Sequence, residues 1–117
     1  MELEKIVPVL PSLSFDATTR FYENVLGPAE VFRTSEYLIL SFVGIGREIN
    51  FYTTKNPKDG ECAGLFLRVK DIARYHERAQ KANSRILKSL RNEPWGQREF
   101  CVIDPSGCLL RFGEPIG

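Results

Sequence analysis

An α+β fold made of two βαβββ modules is predicted by three observations. The chain runs twice through the order strand, helix, three strands; the polar stretch "KNPKDGE" (55–61) interrupts it near the middle; and "RFYEN" (20–24) and "RYHER" (74–78) hold matching places in the two helices, 54 residues apart. A repeated order of elements is an architectural signal. At 117 residues the chain fits one domain, because domains usually run to roughly 100–200 residues. The modules, about 1–54 and 62–117 with 55–61 as linker, are therefore read as halves of a single unit.

Each element has its own warrant. After an extended start, "KIVPVLPS", the segment "FDATTRFYENVL" (15–26) carries Ala17, Phe21 and Val25 at i+4 spacing, one apolar helical stripe. Ser14 or Asp16 can cap it, and Gly27-Pro28 stops it. "AEVFR" (29–33), "EYLILSFV" (36–43) and "REINFYTT" (47–54) are rich in β-branched and aromatic residues and are parted by "TS" and "GIG", which predicts an antiparallel meander. In the second half "CAGLFLRV" (62–69) is a strand with Leu65, Leu67 and Val69 on one face. "DIARYHERAQKAN" (71–83) is a helix with Ile72, Tyr75, Ala79 and Ala82 in phase, capped by Asp71 and ended by Asn83 in a left-handed turn. A short strand at "RILK" (85–88), a loop "SLRNEPWGQ" (89–97), "REFCVID" (98–104), the turn "PSG" and "CLLRFG" (108–113) complete the module. In that turn Pro105 sets φ, Gly107 accepts a positive φ and Asp104 can bond backbone N–H groups, so its role is structural.

Composition excludes several function classes. Sixteen Lys and Arg against fifteen Asp and Glu leave a net charge of +1, so no global field points to nucleic acid or to an anionic membrane. No segment approaches the ~20 apolar residues of a membrane helix. The opening "MELEKIVPVLPS" has acidic residues where a signal peptide is basic, which predicts a cytoplasmic protein. Cys62, Cys101 and Cys108 are odd in number and lack C-x-x-C spacing; they are expected to be buried reduced thiols acting as small hydrophobes. There is no G-x-S-x-G, and no acid/base pair is picked out by spacing.

The chain resembles the vicinal oxygen chelate superfamily, which includes glyoxalase I, extradiol dioxygenases and bleomycin resistance proteins. "VPVLPSLSFDATTRFYENVLG" is similar to the opening of bleomycin resistance proteins, and "EPWGQREFCVIDPSGCLLRF" to their closing P-W-G-x-E-F-x-x-x-D-P-x-G, with one extra residue at Gln97 or Arg98. The resemblance implies two curved mixed sheets, each with a helix on its outer face. It also implies a homodimer that sequesters a small molecule, such as an antibiotic, in grooves built from both subunits. Metal-dependent members carry a ligand on the first and last strand of each module; here those positions fall on Val7, Asn50, Gly64 and Arg111. Only Asn50 is even a weak divalent ligand, and the one histidine, His76, lies in a helix, so no metal or cofactor is expected. An enzyme of the same fold with a displaced metal site is the alternative.

If the superfamily's ligand positions face the cavity, strand alternation assigns the rest. Gly64, Phe66 and Arg68 line the groove, as do Glu48, Asn50 and Tyr52, Leu109 and Arg111, and Tyr37, Ile39 and Ser41. The intervening Leu65, Leu67, Ile49, Phe51, Cys108, Leu110, Phe112, Leu38 and Leu40 go to the core. Tyr37, Tyr52 and Phe66 can stack on a planar ligand, or the tyrosines can form a cross-strand pair on a solvated face. Trp95, the single Trp, is either a plug on the core or a wall of the groove, and its place in Pro-Trp-Gly by the resembled family's drug groove favours the wall. Resemblance implies an acidic groove for a cationic drug, whereas Arg68, Arg111 and Arg98 against Glu48 point to an aromatic or anionic ligand.

Overall fold

A computed structural model describes residues 1–44 and 46–117. The first module comprises β1 (Val9–Ser12), α1 (Phe15–Val25), β2 (Glu30–Arg33), β3 (Tyr37–Ser41) and β4 (Glu48–Thr53). A short helix, α2 (Lys58–Glu61), follows within the stretch expected as linker. The second module comprises β5 (Gly64–Arg68), α3 (Ile72–Lys81), β6 (Arg85–Asn92), β7 (Gln97–Ile103) and β8 (Leu109–Pro115). Two four-stranded sheets result, ordered β1-β4-β3-β2 and β5-β8-β7-β6. Each is mixed: the first strand of a module pairs parallel with its last, and the remaining pairs are antiparallel. The expected α+β architecture of two βαβββ modules is what the chain forms. Of the "GIG" break between β3 and β4, Ile45 lies outside the described residues.

One helix packs on one face of each sheet. α1 buries Phe15, Thr18, Tyr22 and Val25, and Tyr22 meets Phe51 of β4 edge-on at 5.1 Å. α3 buries Ile72 and Ala79, with Tyr75 against Phe112 at 5.8 Å and Phe112 stacked on Phe100 at 4.5 Å. Leu38, Leu40, Ile49, Phe51, Leu110 and Phe112 are buried, as strand alternation predicts. Ser14 caps α1 by accepting from Ala17 N–H at 3.2 Å. Asp71 does not cap α3 with its side chain; it has φ 62° and its own N–H donates to Glu114. Asn83 ends α3 at φ 53°, the left-handed turn its type favours. Among the described residues no helix is long and apolar enough to cross a membrane.

The largest difference from expectation is the 85–97 region. β6 runs to Asn92, through two register shifts, and Glu93, Pro94, Trp95 and Gly96 connect it to β7, the last three lying inside the Glu93–Gln97 backbone hydrogen bond. Gly96 N–H donates to the Glu93 carbonyl at 3.2 Å, Glu93 N–H to the Gln97 carbonyl at 2.7 Å, and Gly96 has φ +83°. That is a three-residue hairpin loop closed by a glycine in the left-handed region. Burial along β6 alternates from Arg85 to Leu90 despite the bulges, so residues 89–92, expected in the loop, belong to the strand.

The modules are joined through buried polar contacts around the Asp104 turn. Tyr22, fully buried, donates its O–H to Asp104 Oδ2 at 2.8 Å. Asp104 Oδ1 accepts from Ser106 N–H at 2.8 Å and Cys108 N–H at 3.0 Å, and Ser106 Oγ accepts from Leu13 N–H at 2.9 Å. Arg78 of α3 donates to the Asn24 and Glu23 carbonyls at the end of α1. Burial raises the Asp104 pKa, against the lowering effect of the Tyr22 hydrogen bond. Burial, with Asp104 beside it, also pushes the Cys108 thiol up to about 12; Cys101 is buried as expected, but Cys62, just after α2, is exposed.

Tyr22→Phe should therefore destabilise the fold by about 1–3 kcal/mol at pH 7, because a buried acceptor loses its donor. A carboxyl raised in the folded state contributes stability that is present below its ordinary value near 3.8 and is lost as pH rises through the folded pKa. Removing the Tyr22 O–H raises it further, so the penalty shrinks as pH falls toward 4; urea unfolding of both proteins across that range measures it.

Candidate functional site

Each sheet has one face covered by its helix and one open face, and strand register states which residues share the latter. In the second sheet Phe66 lies opposite Arg111, Arg68 opposite Gly113, Gly113 opposite Glu99 and Arg111 opposite Cys101. Phe66, Arg68 and Arg111 are exposed, Phe66 by 53%. A Cβ at Gly113 would stand 2.6 Å from Phe66 Cζ, so the absence of a side chain at position 113 lets the ring lie across β8.

Trp95 stands at the hairpin tip and is 60% exposed, so it is no plug on the core. Its indole N–H donates to Glu99 Oε2 at 2.9 Å, and Lys88 Nζ lies 5.4 Å from its ring centroid. Lys88 also pairs with the buried Glu93 at 3.0 Å, which Arg91 pairs with as well. These partners, Arg91 first, hold the Glu93 carboxyl below its usual range. Phe66, Gly113, Glu99 and Trp95 thus follow one another across β5, β8 and β7 on a single face.

Arg98 does not belong to that face. It pairs with Glu114, in phase with Phe100 and Phe112, and therefore projects to the α3 side. There it acts on His76, whose pKa is lowered by burial first and by Arg98 second. His76 packs edge-on against Phe100 at 5.1 Å and accepts from Leu90 N–H at 3.5 Å, a packing role. The hairpin decides the parity: with Gln97 the first residue of β7, Gln97, Glu99, Cys101 and Ile103 face outward and Arg98 inward.

The remaining predicted residues form a separate group on the first sheet. Tyr37 and Tyr52 are cross-strand partners, and Asn50 Nδ2 donates to the Tyr37 hydroxyl at 3.3 Å, while Asn50 Oδ1 is buried with no partner. Glu48 is tied to Lys5 at 2.8 Å. No strand of this sheet pairs with the other sheet, so one chain presents two clusters, Asn50–Tyr37–Tyr52 and Phe66–Arg68–Arg111–Trp95. Sequence reasoning missed Phe32, 60% exposed opposite Ile39 on the first cluster's face, and Glu99, 5% exposed beneath Trp95. Alternation within "AEVFR" could have found the first; the second needed the hairpin's register.

The superfamily's metal positions do not fit a divalent cation here. Val7 and Gly64 offer no donor side chain, Arg111 is itself a cation, and Asn50 stands alone. Arg68 and Arg111 make no ion pair or side-chain hydrogen bond among the described residues. The open face of the second sheet can therefore offer aromatic surface and two guanidinium forks.

The sequence pattern of the Glyoxalase/Bleomycin resistance protein/Dioxygenase superfamily matches residues 8–112, and the chain belongs to that superfamily. Within it, the chain is similar to a bleomycin resistance protein of Klebsiella pneumoniae, with 28% identity over 116 residues that span 93% of this chain and 90% of the relative. Among solved structures, the bleomycin resistance determinant encoded on the transposon Tn5 superposes with a TM-score of 0.80 at 26% identity, covering 97% of this chain and 98% of that one. A bleomycin-binding protein complexed with bleomycin gives a TM-score of 0.78 at 26% identity, with 96% and 98% covered.

Gly113→Ala should displace the Phe66 ring while changing unfolding free energy by no more than about 1 kcal/mol, because an exposed ring can swing aside. The check is NMR: the ring-current shift that Phe66 imposes on the Hα at position 113 should disappear.

Proposed function

We propose that this chain is a metal-independent protein that binds a small molecule noncovalently, as a homodimer, in a groove completed by the partner copy. The observation that carries the reading is the open face of the second sheet: Phe66 and Trp95 are more than half exposed, Glu99 holds the Trp95 indole N–H, and Arg68 and Arg111 beside Phe66 make no ion pair among the described residues. Exposed aromatics alone would be a liability in water; set beside free guanidinium groups they suit a planar anion. Similarity to a bleomycin-binding protein supports the binding role. Dimerisation is supported by the two clusters, which lie on sheets that do not pair with each other, so a second chain can bring Asn50, Tyr37 and Tyr52 of one copy toward Phe66 and Trp95 of the other. The ligand class is an aromatic, anionic molecule, antibiotics of that kind included, with the protein acting in the cytoplasm.

Calorimetric titration with anilinonaphthalene sulfonate, with metal-free bleomycin and with copper-loaded bleomycin tests this. The aromatic anion should bind once per chain, and Arg68→Ala with Arg111→Ala should weaken it at least tenfold, about 1.4 kcal/mol. Tight stoichiometric bleomycin binding, two per dimer, would overturn the anionic assignment and leave the binding role standing. A monomer at micromolar concentration by sedimentation would overturn the shared groove, and near-stoichiometric zinc, manganese or iron in protein purified without chelator would favour an enzyme.

A further inference from the structure

We infer that the chain has a second binding site, apart from that groove, in the cleft between its two modules, and that it takes an organic anion with an apolar body. The cleft measures about 860 Å³; of the residues expected along the groove only Leu109 lines it, and Phe66, Arg68, Arg111 and Trp95 do not. Its volume is within the roughly 300–1,000 Å³ of small-molecule pockets. One wall is the face of α1 that does not pack on its own sheet, with Ala17, Arg20 and Phe21; the other is the start of β6, with Ser84, Arg85 and Leu87. Ile103 and Leu109, flanking the Asp104 turn, add apolar surface to it.

Three features define the ligand. Arg20 and Arg85 make no ion pair or side-chain hydrogen bond among the described residues, and Asp16, one turn before Arg20, acts on it only through its field, so the cleft offers two guanidinium groups with unused donors. Of the two acidic residues in the lining, Asp104 is taken up by Tyr22, Ser106 and Cys108, which leaves Glu61. Ser84 Oγ is buried with no hydrogen-bond partner, a state that costs free energy until an acceptor arrives. A carboxylate accepts from a hydroxyl and from guanidinium together, and Phe21, Leu87, Ile103 and Leu109 suit an aliphatic or aryl tail. Because the walls come from different modules, an occupant bridges α1 to β6 and stabilises the docked arrangement by mass action.

Octanoate, octanol and octylammonium are the probes, followed by calorimetry and by amide NMR of the full chain. Octanoate should saturate, shift the amides of Ala17–Asn24 and Ser84–Leu87, and leave the Trp95 indole N–H in place. Arg20→Gln with Arg85→Gln should lower its affinity at least tenfold, and Ser84→Ala severalfold, with anilinonaphthalene sulfonate binding unchanged. Octanol or octylammonium binding as tightly as octanoate, shifts centred on Phe66 and Trp95, or no saturation at millimolar concentration would each overturn the site.

Discussion

The hydrogen bond from Tyr22 to Asp104 is the constraint around which the rest is arranged. Its partners are 82 residues apart, one on the helix of the first module and one in the last turn of the second. Burial holds the Tyr22 phenol protonated well above its ordinary value, with the adjacent carboxylate adding to the effect, so the donor is never lost near neutrality. The carboxylate in turn organises Ser106 and Cys108 through their N–H groups, and Ser106 reaches back to Leu13. A buried carboxyl with three donors is costly to disturb, which makes this turn a fixed joint between modules and not only a hairpin corner.

From that joint follows the exposure of both open faces. The modules dock through α1, α3 and the Asp104 turn, with the Arg78 guanidinium closing the end of α1, so neither sheet's open face is used in joining them. Side chains that would otherwise be anomalous on a single chain, Phe32, Phe66 and Trp95, are left in solvent there. The same docking leaves the Ala17, Arg20 and Phe21 side of α1 facing β6 across a cleft.

Much of this was legible in the sequence, and the reason is physical. Where a strand is covered on one side only, period-two burial writes itself into residue type, and β3, β4 and β8 show it directly. The α3 stripe through Ile72 and Ala79 is equally plain, whereas on α1 the expected stripe Ala17, Phe21 and Val25 is not the buried face: the sheet takes Phe15, Thr18, Tyr22 and Val25 and leaves Ala17 and Phe21 on the cleft side. Trp95 was legible as a surface aromatic because Pro94 and Gly96 confine it to a turn. Arg98 was not: its face depends on where a three-residue loop starts β7, and a shift of one residue there reverses every side chain. Glu99, unremarkable in the sequence, becomes the partner of the indole N–H through that same register.

By itself the sequence determined the element order, the two-module architecture and which residues of most strands point to the core, since each is governed by local periodicity and burial. Only the tertiary structure decided that Arg98 turns toward His76 and that Asp104 binds the modules together. It also decided that Tyr37, Asn50 and Tyr52 lie on a different sheet from Phe66, Arg68, Arg111 and Trp95. Those outcomes rest on pairings between residues tens of positions apart, whose energy comes from burial and hydrogen bonding on docking and leaves no signature in either segment alone.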